Sequence, residues 1–495
     1  MEAVDVVVIG GGIAGLTCAM GLRDSGLRCV VLERDEILGG RASSWLDETT
    51  GDPVHIGPHI FLDAYPNFFA LLDACGTRDR VVFEQDGCFV TMVDGTREIP
   101  IRRTALPAPY HFVPSLLGDP EVSFRDLLSN WPIVELSLRA DEAAIRRFDR
   151  MDAKTLLREV GVTPRFIERF WSFTALSIMN VPLERCSAGA LLRFYRHLLG
   201  HDVVKVGFAN TGLGDVYAPA AKEVLERAGI PVLTNARVEE ILVDASGAVS
   251  GVRLRDGRTL RSRSVVAAVP PSALRQLARR EWEGLAPFSD LHRFKSVAYV
   301  APYIWFDRKL TRKQFWARVW KEGDFNCDFY DLSNIQKGYR QRPSIITSNV
   351  IGSERIGDAT DEEILAKTID ELADYLPEAK VAKVLHSRVH RIPMAIHAPE
   401  PGTESLRPGV ETKVEGLFLA GDWIDTTFPS SMESAACAGW MAAEAVLAGA
   451  GRPRSLRRAS PPPRGLVPWL KHSFPSVPLA RAPKRLRDLL VEGPG

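Results

Sequence analysis

The chain has 495 residues, 45% of them apolar, which suffices for a large core and for two or more domains or lobes. Lysine and arginine together number 62 against 62 acids, so bulk charge gives no argument for nucleic acid, and no apolar run reaches the roughly 18 residues of a membrane-crossing helix. Seven scattered cysteines without a C-x-x-C argue against a disulfide framework or zinc site and suit a reducing compartment.

Residues 4–9 are a nearly continuous β-branched run, as in a strand buried on both faces of a parallel sheet. Gly10, Gly12 and Gly15 follow in G-x-G-x-x-G spacing, and residues 13–21 open a helix with Ile13 and Ala14 at its N-terminus. The first glycine permits a tight turn, the second lets a pyrophosphate approach the backbone, and the third lets helix and strand pack closely. The free N–H groups and positive dipole end of the helix suit phosphates. Residues 29–32 form the next strand. Glu33 ends it where a carboxylate accepts hydrogen bonds from an adenosine ribose, and Arg34 falls on the adenine side. Gly39-Gly40-Arg41 then exposes backbone beside a phosphate-reaching arginine, a continuation that favours FAD over NAD. A strand beginning at Val4 predicts no signal or transit peptide before it.

Beyond Arg41, Asn67 is a candidate cap for a helix ended by Gly76. Gly57-Pro58-His59 forms a turn where a glycine lets a planar ring approach and His59 faces it; a buried histidine in a strand-to-helix turn is the equal alternative. Residues 81–100 alternate as a hairpin turning at Asp94-Gly95. Residues 106–117 are apolar, aromatic and broken by proline, fitting either a bilayer-docking surface or a packed lobe. Helices are predicted over 154–160, 163–173 and 188–199. Within this lobe Trp171, Phe173, Phe194 and Tyr195 suit either the lining of an apolar channel or plain core packing.

Residues 213–228 read as a helix closed by Gly229, and 231–234, 237–243, 249–254 and 264–269 as strands. Residues 297–306 begin a further sheet, and Thr360 with Glu363 forms a capping box for a helix to 376. His386 and His390 fall on a predicted strand at 381–392 with no third ligand nearby, which argues against a metal site. Residues 416–422 form a short buried strand ending in Gly421-Asp422, where Asp422 suits ribityl or phosphate-side groups. Ser431, Met432 and Glu433 then open a helix of small residues able to sit close to a flat ligand. From Arg452 the chain carries ten basic and two acidic residues, against 52 and 60 before it, so 451–495 is a basic, proline-rich tail expected to be disordered, with 466–474 and 486–491 as candidate binders of anionic lipid.

The N-terminal motif, GPHIFLDAYPN at 57–67, YIWFDRKL at 303–310, and GLFLAGDW followed by SSMESA together resemble the plant-type phytoene desaturases. These belong to the FAD-dependent amine oxidase-like superfamily, beside ζ-carotene desaturases and bacterial hydroxysqualene dehydroxylases. The resemblance implies an α/β fold, in which a discontinuous Rossmann-like FAD-binding domain (1–104, 206–295, 401–450) meets a mixed-sheet substrate domain (296–400) and a helical lobe (105–205). It implies adenine contact by the main chain at Val238, a polyisoprenoid substrate, and a cytoplasmic enzyme attached peripherally to the inner membrane face, with quinone or oxygen as electron acceptor. The implied reaction removes a hydride to flavin and a proton from the neighbouring carbon, making a C=C bond, with His59 as the one candidate catalytic residue. Departures from the pattern are Pro393-Met394, where the family often has Pro-Arg, and Glu433-Ser434 in place of Glu-Gly. Hydroxysqualene dehydroxylase, flavin amine oxidase and a non-catalytic flavin or lipid carrier are the alternatives. The amine oxidase ranks lower because only Lys295 precedes the strand on which such enzymes carry a lysine.

Overall fold

The computed structural model describes residues 2–84, 87–201, 205–473, 476–481 and 483–491. In chain order the elements that matter are β1 (Val6–Ile9), α1 (Ile13–Leu22), β2 (Cys29–Leu32), α2 (Pro66–Cys75), β3 (Cys88–Asp94), β4 (Arg97–Arg102), α3 (Ala188–Leu199), β5 (Val206–Ala209) and β6 (Val232–Leu233). They continue with β7 (Ser264–Ala267), β8 (Ser296–Phe306), β9 (Phe315–Arg318), β10 (Asp328–Asp331), β11 (Ile345–Thr347), β12 (Val350–Ile351), α4 (Asp361–Ala373), β13 (Val384–His397), β14 (Leu417–Leu419) and α5 (Met432–Gly449).

A five-stranded parallel sheet in the order β6-β2-β1-β7-β14 brings the two ends of the chain into one layer. β1 and β2 are buried along their whole length, as their unbroken apolar runs require of strands covered on both faces. α1 and α5 pack together on this sheet because glycine removes the side chain at the crossing: a Cβ at Gly439 would lie 2.4 Å from the Ala14 carbonyl oxygen. An eight-stranded mixed sheet, ordered β12-β8-β11-β10-β9-β3-β4 with β13 paired to β8, forms the second body. A helical lobe over 110–199 covers one side of it.

Several local expectations change. The hairpin turning at Asp94-Gly95 is formed by β3 and β4 alone; Val81–Phe83 pairs with β5 in another sheet, and residues 85–86 of the expected hairpin lie outside the described residues. Asn67 does not cap α2, because Tyr65 holds the cap position and Asn67 is already inside the helix. The tail is not free chain: Arg454 donates to the Asp24 carbonyl, the Arg458 amide to Asn67 Oδ1, and Val467–His472 packs on the helix Trp131–Arg139. Composition counts the tail's charges but not the carbonyls that receive them. Phe474, at the end of one expected lipid-binding stretch, lies outside the described residues.

Candidate active site

Two glycines of the first turn are fixed by packing and one by open space. Gly10 has φ +107°, and a Cβ at Gly15 would lie 1.9 Å from the Gly10 carbonyl oxygen, so only glycine lets α1 start this close to β1. A Cβ at Gly12 would meet nothing nearer than the Gly39 carbonyl oxygen at 3.8 Å. Gly12 caps α1 without a side-chain bond, leaving the helix's first N–H groups to a ligand. Glu33 closes the far side: its carboxylate accepts from the Gly11 N–H at 2.6 Å and from the Asp35 N–H at 3.0 Å. The Ala236 N–H donates to the Glu33 carbonyl at 2.7 Å, which delivers Val238 to the same edge.

The C-terminal part meets this cradle through an ion pair between Arg41 and Asp422, residues 381 apart in sequence. Ser430 also donates to Asp422, and His397 Nδ1 lies 3.9 Å away. Burial alone would raise the Asp422 carboxyl, but the Arg41 charge, His397 and these hydrogen bonds hold it well below the usual carboxylate range. Arg407, itself fully buried, fixes the loop by donating to the carbonyls of Asp422, Ile424 and Phe428 at 3.0, 2.7 and 2.8 Å. Ser431 caps α5 by accepting from the Ser434 N–H at 3.2 Å.

A single cavity of about 960 Å³ runs from this cradle into the second body. It is lined by Gly10, Gly12, Ile13, Ala14, Glu33, Arg34, Gly39, Gly40, Arg41, Gly57, Pro58, His59, Val238, Gly421, Asp422, Ser431 and Met432, which the sequence reading had singled out separately. Gly15 and Glu433 are not among its lining residues. Gly15 serves the α1 and β1 contact. Glu433 turns away and accepts from the Asn67 N–H and Nδ2 and from the Phe68 N–H at 2.7–3.0 Å, closing the uncapped N-terminus of α2. Burial pushes its carboxyl up to about 7 against the pull of those bonds.

Beyond the cradle the cavity becomes an apolar chamber walled by Phe89, Phe173, Ile178, Phe194, Phe315 and Tyr330. Trp171 and Tyr195 pack against each other in the lobe core, with ring centroids 4.5 Å apart and the rings tilted by 52°, and do not line it. The turn at Gly57 stands between cradle and chamber. His59 Nδ1–H donates to the Gly57 carbonyl at 2.7 Å, and burial lowers the imidazole's basicity. Asp328 and Asn349, which the sequence reading missed, also face this space; an acid in the aromatic run FNCDFYD was the only signal.

These features fit FAD. A cradle without Cβ atoms and an uncapped helix terminus suit a pyrophosphate, an acid at the end of β2 suits a ribose, and the Arg41 and Asp422 pair sits where the two halves of the chain meet. Together they define a dinucleotide-binding oxidoreductase with an apolar chamber beside its cofactor site. The chain belongs to the flavin-containing amine oxidoreductase family, whose model it matches over residues 13–447, and it is an FAD-dependent oxidoreductase. It is 27% identical over 457 residues to a chloroplastic and chromoplastic 15-cis-phytoene desaturase of Solanum lycopersicum, covering 90% of this chain and 78% of that one. A 15-cis-phytoene desaturase of Synechococcus elongatus is 25% identical over 467 residues, covering 90% and 96%. The solved structure of cyclohexylamine oxidase from Brevibacterium oxydans shares the fold with a TM-score of 0.67 at 18% identity, covering 91% of this chain and all of that one.

Proposed function

We propose that the protein is a carotenoid-type desaturase, which forms a C=C bond in a long polyisoprenoid held in the apolar chamber. The observation that carries this reading is the continuity of one cavity from the nucleotide cradle, past Gly57 and His59, into a chamber walled by aromatic and aliphatic side chains. The relatives named phytoene desaturase support the same substrate class.

Bound FAD supplies the two-electron acceptor for the hydride. The protein's own part is to hold and orient the chain. The chamber wall excludes water, and Gly57 keeps the passage open where a side chain would press on Asn349 Oδ1 at 3.1 Å. His59 has its Nδ1–H committed to Gly57, which leaves Nε2 as the ring nitrogen for the proton lost from the neighbouring carbon.

An exposed apolar surface supports peripheral docking on a membrane, from which such a lipid would enter. Leu106, Leu117, Phe124 and Leu128 are 44–64% exposed, and Trp469 on the tail helix is 67% exposed. Among the described residues no helix is long and apolar enough to cross a membrane. A quinone dissolved in the same bilayer, or oxygen, is the proposed final acceptor. The amine oxidase alternative finds little support, since Lys295 is 67% exposed and paired with Glu400 at 3.1 Å, and it does not line the cavity.

Expression of the chain in cells supplied with phytoene, followed by mass analysis of the lipids, tests the reading. The expected product is two hydrogens lighter per turnover. Unchanged phytoene from a flavin-loaded protein would count against it, and release of hydrogen peroxide with amines would favour the oxidase.

A further inference from the structure

One part of the cavity wall is a single thickness of chain. Ser460 and Pro461 line the cavity, yet Ser460 is only half-buried and Pro461 is exposed on its outer side. The segment that carries them is anchored at both ends. On the cofactor body, Asn67 Nδ2 donates to the Arg458 carbonyl at 2.9 Å and Asn67 Oδ1 accepts from the Arg458 N–H at 2.7 Å. Glu444 accepts from the Leu456 and Arg457 N–H groups at 2.6 and 2.9 Å. On the helical lobe, the Arg464 N–H donates to the Gly200 carbonyl and the Leu466 N–H to the Ala108 carbonyl, both at 2.9 Å. The segment therefore crosses from the start of α2 to the end of α3, where the cavity is lined by Ala64 and Tyr65 on one side and by Leu198 and His201 on the other.

Between these anchors the segment spans free. Among the described residues, 459–463 make no hydrogen bond and no regular structure. Pro461, Pro462 and Pro463 have no N–H to give, and a proline run favours an extended helix rising roughly 3.1 Å per residue, so the six steps from Arg458 to Arg464 make a stiff bridge of roughly 19 Å at most. A stiff bridge fixed only at its ends swings as one piece when an end moves.

The lobe-side end has the chemistry of a bilayer contact. Leu466 and Trp469 are exposed, and the Leu466 bond to Ala108 sets them beside the exposed Leu106. Arg464 and Lys471, on either side of Trp469 in sequence, pair with no acid among the described residues. Partial burial and the charge of Arg196 lower the basicity of the Lys471 ammonium, a cost that an anion placed beside it offsets. With ten bases against two acids from Arg452 onward, the surface calls for anionic headgroups. Sinking Leu466 and Trp469 into the interface moves the anchor that ends the bridge.

We propose that residues 459–463 are a gate over a lipid mouth of the cavity, and that docking of the tail helix Val467–His472 on an anionic bilayer draws the gate aside. The proposal rests on the membrane-docking and polyisoprenoid reading above and adds how the lipid enters. A closed gate keeps water from the chamber away from the membrane, and an open one exposes the chamber only where the lipid is dissolved.

The test uses the whole flavin-loaded chain with spin labels at Ala459→Cys on the bridge and Asp73→Cys on the exposed face of α2, and with Cys75→Ser and Cys88→Ser to remove the two half-buried thiols. Phosphatidylcholine vesicles containing phosphatidylglycerol should lengthen the distance between the labels, and vesicles of phosphatidylcholine alone should not. With phytoene loaded in the vesicles and oxygen excluded, the unlabelled native chain should lose its flavin colour about tenfold or more faster on the anionic vesicles, within the range that charge complementarity gives to association rates. Arg464→Gln together with Lys471→Gln should remove both responses and leave bleaching by phytoene in neutral detergent as it is in the native chain. Pro461→Gly, Pro462→Gly and Pro463→Gly together should loosen the bridge and raise the rate from neutral vesicles. Labels that keep their distance on anionic vesicles with which the protein sediments, or that separate equally on neutral ones, would overturn the gate. Protein that stays in the supernatant above anionic vesicles would overturn both the gate and the docking it rests on. Labels that separate as expected while the flavin keeps its colour would support the gate and sink the desaturase reading.

Discussion

His397 lies beside Asp422 with its Nε2 buried and unpartnered, and burial holds its imidazole down to about 4 although Asp422 pulls the other way. An unfolded histidine titrates near 6.5, so between about pH 6.5 and 4 the unfolded chain binds a proton that the folded one refuses. Stability then rises with pH across that window, by up to about 1.4 kcal/mol per pH unit for this one group. Urea midpoints of the flavin-loaded protein from pH 7.5 to 4.5 should show the slope, and His397→Gln should flatten it; an equal slope in the variant would assign the effect elsewhere. The legible residues of the site were those whose chemistry is local. Gly10 and Gly12 could be read because a turn, a strand and a helix surround them. Glu433 could not, because its partners Asn67 and Phe68 lie more than 360 residues away and belong to another helix's terminus. Asp328 was faint for a similar reason, since an acid within the aromatic run FNCDFYD does not reveal that its strand faces a cavity.

Among the elements, α5 depends on what its small residues omit. A Cβ at Gly439 would press on the Ala14 carbonyl oxygen and on Thr17 Cβ, at 2.4 and 2.7 Å, and α1 has no room to retreat because Gly15 already touches Gly10. Gly439→Val should therefore cost about 1–3 kcal/mol or more and displace two helix N-termini at once, those of α1 and α5. The readouts are the urea midpoint and the ratio of flavin to protein absorbance after purification. A variant with full flavin content and wild-type stability would contradict the packing described. Element boundaries were most legible where side chains announce them: Thr360 and Glu363 form both bonds of their capping box, and α3 begins and ends at residues 188 and 199 as periodicity predicts. Pairing was less so. Val81–Phe83 carries a strand pattern, but its partner β5 was invisible until the chain folded.

At the scale of the molecule, two bodies assembled from distant parts of the chain share one cavity. The parallel sheet joins strands from residues 6 to 419, and the tail, basic and rich in proline, is tied down by carbonyls and carboxylates it meets only in the folded state, with Ser460 and Pro461 on the cavity rim. Sequence patterns identified the cofactor half because phosphate and ribose recognition use short, repeated solutions. The chamber has no such pattern, since apolar walls and apolar cores draw on the same residues. The central claim, that this cavity holds FAD and a polyisoprenoid together for desaturation, is tested most directly by mixing flavin-loaded protein with the lipid in the absence of oxygen. Loss of the flavin's visible absorbance is predicted, with one equivalent of product two hydrogens lighter than the lipid supplied. Flavin that keeps its full colour while the lipid is demonstrably bound would contradict it.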